Sequence, residues 1–180
     1  SSIVATAAQF WRGNSTGLGG FFFFARFGIE TLTAASPNAT RMFVGLQSGT
    51  TNVLVSDTIA AISCIGLWHD TTDGANVINL LTKDGTTATK NALTGSPSTP
   101  YATGQGYDFY MFAKPNDSVI YYRLADLNTS TTLVDSSVTT TLPAAATFMG
   151  PVVGMSNGTA NIVASTVGIG VNRIYIESDR

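Results

Sequence analysis

The chain has 180 residues, enough for one domain with a buried core. Nine Lys+Arg against eleven Asp+Glu leave a formal net charge of -2, which carries no electrostatic footprint for nucleic acid or an anionic membrane surface. Charged residues make up only 11% of the chain, against about 25% in ordinary soluble domains. Thr, Ser, Asn and Gly take their place, a neutral hydroxyl-rich surface suited to life outside cells or inside a large assembly.

The opening "SSIVATAAQFWRG" has no initiator Met and no basic segment followed by an apolar one, so it does not read as a signal peptide. It reads as the start of a processed or excised piece of a longer chain. No apolar stretch approaches the roughly 20 residues of a membrane helix, so no membrane insertion is expected. The segments 6–12 and 56–62 could each form a helical turn or two, but neither sustains a helical period.

Next comes "FFFFARF" (21–27), with aromatics on both alternating sets. Phe21, Phe23, Ala25 and Phe27 share one face; Phe22, Phe24 and Arg26 share the other. Both faces therefore require cover, one from a second sheet and the other from a loop or a neighbouring subunit. Further strand-like runs follow at 41–46, 52–56, 62–68, 76–82, 107–114, 118–127, 132–140, 147–155, 161–165 and 171–178, separated by turn clusters such as "HDTTDGAN", "KDGTT" and "KPNDS". Many short strands with turn signals between them predict an all-β, two-sheet antiparallel β-sandwich or a barrel. "YDFYMFAKPNDSVIYYRL" (107–124) is the best-specified hairpin, its turn set by Pro115, Asn116 and Asp117. The stretch 93–107 reads as a long loop over one edge, so residues 1–180 form a single domain.

The chain has one cysteine, Cys64, so no intrachain disulfide is possible. It reads as a small buried hydrophobe, not as a nucleophile. Glutamates occur only at 30 and 177, and Glu177 with Asp179 is the nearest approach to the close carboxylate pair of a β-sandwich glucanase. At the chain's end that pair reads as a solvated strand terminus, so the chain is expected not to be an enzyme. Sequons at Asn14, Asn38, Asn116, Asn128 and Asn157 are what such a composition produces by chance.

The loop "WHDTTDGAN" (68–76) combines an aromatic, the only histidine and two carboxylates. One reading has Trp68 and His69 stacking on a sugar while Asp70 and Asp73 accept its hydroxyls. A second has the carboxylates holding Ca²⁺, although the Asp-x-Asp-x-Asn-Gly ladder is missing and no metal is predicted. The third makes this an Asx-rich turn with Trp68 in the core. A competing ligand loop at 96–107 offers Tyr101 and Tyr107. No cofactor is expected, since "GLGGF" and "GQGYD" are not phosphate loops.

The ordered set "FFFFARFGI", "RMFVGLQSGT", "CIGLWHDTTDGANVINLLTKDGTTATK", "YDFYMFAKPNDSVIYYRL", "TLPAAATFMGPVVGMSNGT" and "VNRIYIESD" resembles the C-terminal, receptor-binding domain of tailed-bacteriophage tail fibre proteins, from about Gly19 to Asp179. The resemblance implies a concanavalin-like or jelly-roll sandwich, a homotrimer assembled in the bacterial cytoplasm and carried extracellularly on the virion surface. It implies binding to a host cell-surface receptor, a glycan, without catalysis, with residues 1–18 as a connecting segment at the trimer axis. The rival readings are a carbohydrate-binding module or glucanase-like enzyme of the same fold, and a purely structural capsid-decoration or fibre protein.

Overall fold

The computed structural model describes residues 2–4, 9–13, 17–33, 40–54, 59, 61–73, 77–93, 100–157 and 166–179. Among them are strands β1 (Ser2–Val4), β2 (Gly19–Thr33), β3 (Thr40–Gln47), β4 (Ser63–His69), β5 (Asn79–Asp84), β6 (Ala88–Ala92), β7 (Gly106–Ala113), β8 (Ile120–Asp126), β9 (Thr131–Val138), β10 (Gly150–Asn157) and β11 (Thr166–Asp179), and no helix. They form two antiparallel sheets, one in the order β1-β10-β3-β4-β5-β6 and the other in the order β11-β2-β7-β8-β9. The all-β sandwich expected from the alternating runs is the fold observed.

Between the sheets lies the main core. Phe21, Phe23, Ala25, Phe27 and Ile29 of β2 meet Met42, Val44 and Leu46 of β3, Ile65 and Leu67 of β4, and Tyr107, Phe109 and Met111 of β7. The alternation of "FFFFARF" is thus resolved as the period of two requires, with the odd-numbered set inside.

The six-stranded sheet is covered on its second face as well. Val53 and Leu54 pack there against Phe43, Cys64, Trp68, Leu81 and Val152. The expected strand at 52–56 is therefore not a strand in its described part; Val53 and Leu54 lie in a turn that caps the sheet. Gln47 fixes that turn, accepting from the Val53 amide at 3.0 Å and donating to the Thr51 carbonyl at 2.8 Å. A buried amide bonded at both ends helps hold this second apolar cluster in place.

Other expectations shift at their edges. The "DG-TTATK" stretch is a hairpin, its last residues forming β6. The described part of the 6–12 segment is not helical; Phe10 bridges to Met149. The expected strand at 161–165 and most of the helical turn at 56–62 lie outside the described residues. The 107–124 hairpin forms as predicted, with Asn116 in the left-handed region at φ 56° and the Asp117 amide donating to the Lys114 carbonyl at 3.1 Å.

Gly45 and Gly66 face each other across β3 and β4. A Cβ on Gly66 would lie 2.4 Å from the Val44 carbonyl oxygen, and one on Gly45 would lie 2.2 Å from that of Ile65. These contacts are backbone, so no side-chain rotation relieves them. Gly66→Ala is expected to destabilise the domain by about 1–3 kcal/mol, the range for overpacking a closed interior. Urea unfolding monitored by tryptophan fluorescence measures it, and an unchanged midpoint would contradict the close approach.

Candidate functional site

The residues expected to form a sugar-stacking loop are placed inside the molecule. Trp68 and His69 have no exposed surface, Asp70 is 5% exposed, and Tyr101 and Tyr107 are 1% and 0% exposed. Trp68 lies under the Val53–Leu54 cover, edge-on to Phe43 at 6.2 Å. His69 points the other way and stacks on Tyr101 at 3.8 Å, with Nδ1 2.7 Å from the Val77 carbonyl. A carbonyl only accepts, so Nδ1 carries the proton. The Tyr101 hydroxyl pairs with Thr40 at 2.9 Å, and the Tyr107 hydroxyl donates to the Pro100 carbonyl. Burial raises the pKa of both phenols above the ordinary tyrosine range. Among the described residues of these two loops, Trp68, His69, Tyr101 and Tyr107 therefore pack the sandwich and present no flat surface to a sugar.

The carboxylates have a different task. Asp70 accepts from the Trp68 indole at 2.9 Å, from the Thr72 amide and hydroxyl at 2.8 and 2.7 Å, and from Lys90 at 2.6 Å. Asp73 accepts from the Asp70 amide at 2.8 Å, Asn79 at 2.9 Å and Lys90 at 3.1 Å. The Lys90 ammonium, brought in by β6, thus sits among the oxygens that a bound cation would occupy. Among the described residues no group of His, Cys, Asp and Glu is arranged to hold a metal; residues 74–76 lie outside them. Burial by itself would raise the Asp70 carboxyl, but hydrogen bonds from Lys90, Thr72 and Trp68 outweigh it and hold the group well below the usual carboxylate range. Cys64 is fully buried and its thiol is pushed up to about 12 by that burial, as an inert core residue should be.

The five-stranded sheet is different, because its outer face carries an exposed array that the pairing registers define. Reading from β11 through β2, β7 and β8 to β9, the first row is Glu177, Phe22, Phe112, Tyr121 and Ser137. The second is Tyr175, Phe24, Tyr110, Arg123 and Asp135. The third is Arg173, Arg26, Asp108, Ala125 and Thr132. Two rows of rings are therefore bordered by a row of charges.

The rings touch one another and still face outward. Phe24 and Tyr110 are 4.8 Å apart, and Phe22 stands 6.4 Å from Tyr110 and 6.2 Å from Tyr175. Phe112 and Tyr121 form a second pair at 6.4 Å, with Lys114 6.0 Å above the Tyr121 ring. Phe112, Tyr121 and Tyr175 keep 41%, 42% and 43% of their surface in solvent. Phe22, Phe24, Tyr110, Arg173 and Tyr175 line a shallow depression of about 280 Å³. Arg26 donates two 2.7 Å hydrogen bonds to Asp108, a bidentate pair. The Tyr175 hydroxyl donates to Glu177 at 2.5 Å, and that hydrogen bond, with the carboxylate's charge, raises the phenol's pKa. Aromatic planes beside charged hydrogen-bonding groups suit a ligand with alternating apolar faces and hydroxyl edges.

The sequence carried a signal for this array. "FFFFARF", "YDFYMFAK" and "SVIYYRL" each place aromatics on the outward set as well as the inward one, and "RIYIES" sets Tyr175 outward between inward isoleucines. The strand registers that align them into rows are not readable from the segments one at a time. Of the Glu177 and Asp179 pair considered for catalysis, Glu177 stands opposite Phe22 on the outer face and Asp179 pairs with Gly19, with a register shift between the two.

No protein-family model and no curated protein matches the sequence. Solved structures do. An alginate lyase from Klebsiella pneumoniae superposes with a TM-score of 0.59 at 10% identity, over 89% of this chain and 60% of that one. The enzymatically active domain of tailspike protein 2 of bacteriophage CBA120 gives a TM-score of 0.54 at 16% identity, over 97% of this chain and 23% of that one. Peanut lectin gives 0.52 at 11% identity, over 94% and 77%. The chain thus spans less than two thirds of the lyase and under a quarter of the tailspike domain. At these identities the likeness establishes the fold, a concanavalin-like jelly-roll sandwich. It also corrects one expectation. The chain was expected not to be an enzyme because the glucanase carboxylate pair is missing, yet alginate lyases and an enzymatically active tailspike domain share this sandwich.

The Asp70 cluster makes a pH prediction. An aspartate with a depressed folded pKa contributes stability that is present above its unfolded value near 4 and is lost as pH falls toward the folded value. Asp70→Asn is expected to cost about 2 kcal/mol at pH 7, the order of one buried charge-assisted hydrogen bond. The gap to the wild type should narrow below about pH 4. Thermal melts at pH 7, 5 and 3 measure this, and a gap that stays constant across them would rule out the charged cluster as its source.

Proposed function

We propose that this chain is a carbohydrate-engaging domain of a bacteriophage tail protein, exposed on the virion, and that a host-surface polysaccharide lies across the outer face of its five-stranded sheet. The observation that carries the reading is the double row of outward-facing, mutually packed rings, half-buried at Phe22, Phe24 and Tyr110 and exposed at Phe112, Tyr121 and Tyr175, bordered by Arg173, Arg26 and Asp108. Sugar rings present C–H faces that stack on aromatic planes, and their hydroxyls bond to the flanking carboxylates and guanidinium groups. The likeness in fold to a lectin, to alginate lyases and to a phage tailspike domain supports a carbohydrate ligand and a tail location. On the other sheet, the outward Phe43, Trp68, Leu81 and Val152 are buried under Val53 and Leu54.

A specific observation favours a contact between copies elsewhere on the surface. Trp11 stacks on Phe148 at 5.0 Å, and Phe148 is 51% exposed. The segment carrying Trp11 is fastened by Arg12, which donates to the Pro143 carbonyl at 3.2 and 2.6 Å and to the Asp117 carbonyl. A rigidly mounted, exposed aromatic pair near the chain's beginning is a suitable contact for the homotrimer, which the connecting segment would then enter at its axis. It leaves the sheet face free for ligand.

Two measurements follow. Phe24→Ala combined with Tyr110→Ala should weaken retention on immobilised bacterial polysaccharide by about tenfold or more, which is about 1.4 kcal/mol, with little change in melting temperature. The same columns assayed for chain cleavage report whether engagement includes turnover; undiminished retention by the double variant would reject the sheet face. Trp11→Ser with Phe148→Ser should reduce a trimeric mass in light scattering to the 18.8 kDa monomer. A wild-type chain already monomeric at micromolar concentration would reject that contact for this chain.

A further inference from the structure

We infer that Arg173 makes this face selective for an acidic saccharide, its guanidinium receiving a sugar carboxylate at the edge of the aromatic depression. The inference rests on the carbohydrate reading above and adds the class of ligand.

Nearly every charged group in the three rows has an evident counterpart. Arg26 is held bidentately by Asp108. Arg123 stands opposite Asp135 and donates to Thr132 at 2.8 Å. Glu177 accepts from the Tyr175 hydroxyl. Arg173 is exposed, and its guanidinium makes no hydrogen bond or ion pair among the described residues. Its cross-strand neighbour is a second cation, Arg26. Like charges directly opposite on paired strands are destabilising, so the arrangement costs the free protein stability that an arriving anion would restore. Asp108 lies on the far side of Arg26, on β7, and is already engaged with that arginine.

Strand β11 is locally built to give this outcome. Ile169 and Val171 pair with the inward-facing Ile29 and Phe27, and a register shift then falls between Val171 and Arg173. Without it, alternation would aim residue 173 at the core and Asn172 at solvent. The extra residue turns Arg173 to the outer face, beside Tyr175 and Phe24. Bulges commonly re-aim a side chain at the edge of a sheet. Here the re-aimed side chain is a planar fork of donors that matches a carboxylate in two parallel hydrogen bonds. A uronic-acid ring supplies both halves of the match, a C–H face for the Phe24–Tyr110–Tyr175 surface and a carboxylate in the ring plane.

The test uses one polymer in two charge states. A short oligogalacturonide and its carboxyl-reduced counterpart, identical except for the carboxylate, are titrated against wild type, Arg173→Gln and Phe24→Ala by calorimetry. The wild type should bind the acidic form at least tenfold tighter than the reduced form. Arg173→Gln should lose that preference, binding the acidic and reduced forms with equal affinity, and melt no lower than the wild type, because a like-charge neighbour has been removed. Phe24→Ala should weaken both forms together. If wild type binds both forms equally and Phe24→Ala weakens both, the acidic selectivity is wrong and the aromatic face stands. If Arg173→Gln keeps the preference, Arg173 is not its source and the inference falls. If neither form binds to wild type, the inference falls together with the reading it rests on.

Discussion

The structure depends on the register of β2 against β7. Every odd residue from Phe21 to Ile29 is buried between the sheets, and fully burying each Phe or Ile is worth about 1.5–3 kcal/mol. Hydrophobicity alone does not distinguish the two faces of "FFFFARF", since Phe22 and Phe24 would pack inside almost as well as Phe21 and Phe23. Arg26 distinguishes them. A slip of one residue would exchange the faces and bring the guanidinium into the core, at a cost of several kcal/mol for an unpaired charge. The two hydrogen bonds from Arg26 to Asp108 then fix which β7 residue stands opposite. A pair worth little as surface stabilisation thereby specifies where all the rings of the outer face lie.

The two sheets have consequently divided their roles. The six-stranded sheet is covered on both faces, and its polar groups are turned inward to each other. Asp70, Asp73 and Lys90 form a cluster tied to the indole of Trp68 and the amide of Asn79, which satisfies charges in a place where water is largely excluded. The five-stranded sheet spends its long strands differently. Its inner set builds the core and its outer set keeps aromatic area in solvent, which an isolated domain has no structural reason to do.

The fold was legible because a period of two survives any tertiary context that keeps a strand in a sandwich. The hairpin at 107–124 was legible for a second reason, that Pro115, Asn116 and Asp117 act on their own backbone. The ligand site was not legible in the same way. Trp68, His69 and Asp70 look like a recognition loop because aromatics and carboxylates are adjacent in the chain. Their burial comes from Val53 and Leu54 on one side and Tyr101 on the other, contacts between segments far apart in sequence. Tyr101 and Tyr107 were misplaced for the same reason. Conversely, Tyr175, Phe24 and Tyr110 come from three strands remote in the chain, and only the pairing registers bring them into one row. Function by class was overdrawn as well. The missing glucanase pair bears on one chemistry alone, and solved structures of alginate lyases share the fold without being glucanases.

Strand β11 joins these threads. It is a 14-residue edge strand, and a long flat edge is a template for unwanted pairing. Three register shifts along its pairing with β2 interrupt that flatness. The shift beside Asn172 does more, since it reverses the alternation of everything beyond it. Ile174 and Ile176 then face the core, while Arg173, Tyr175 and Glu177 face solvent. One inserted residue therefore protects the edge, completes the inner packing and sets an unpaired cation beside the aromatic depression. Removing it would shift the inward isoleucines and the outward tyrosine together, so stability and the proposed ligand face are specified by the same local irregularity.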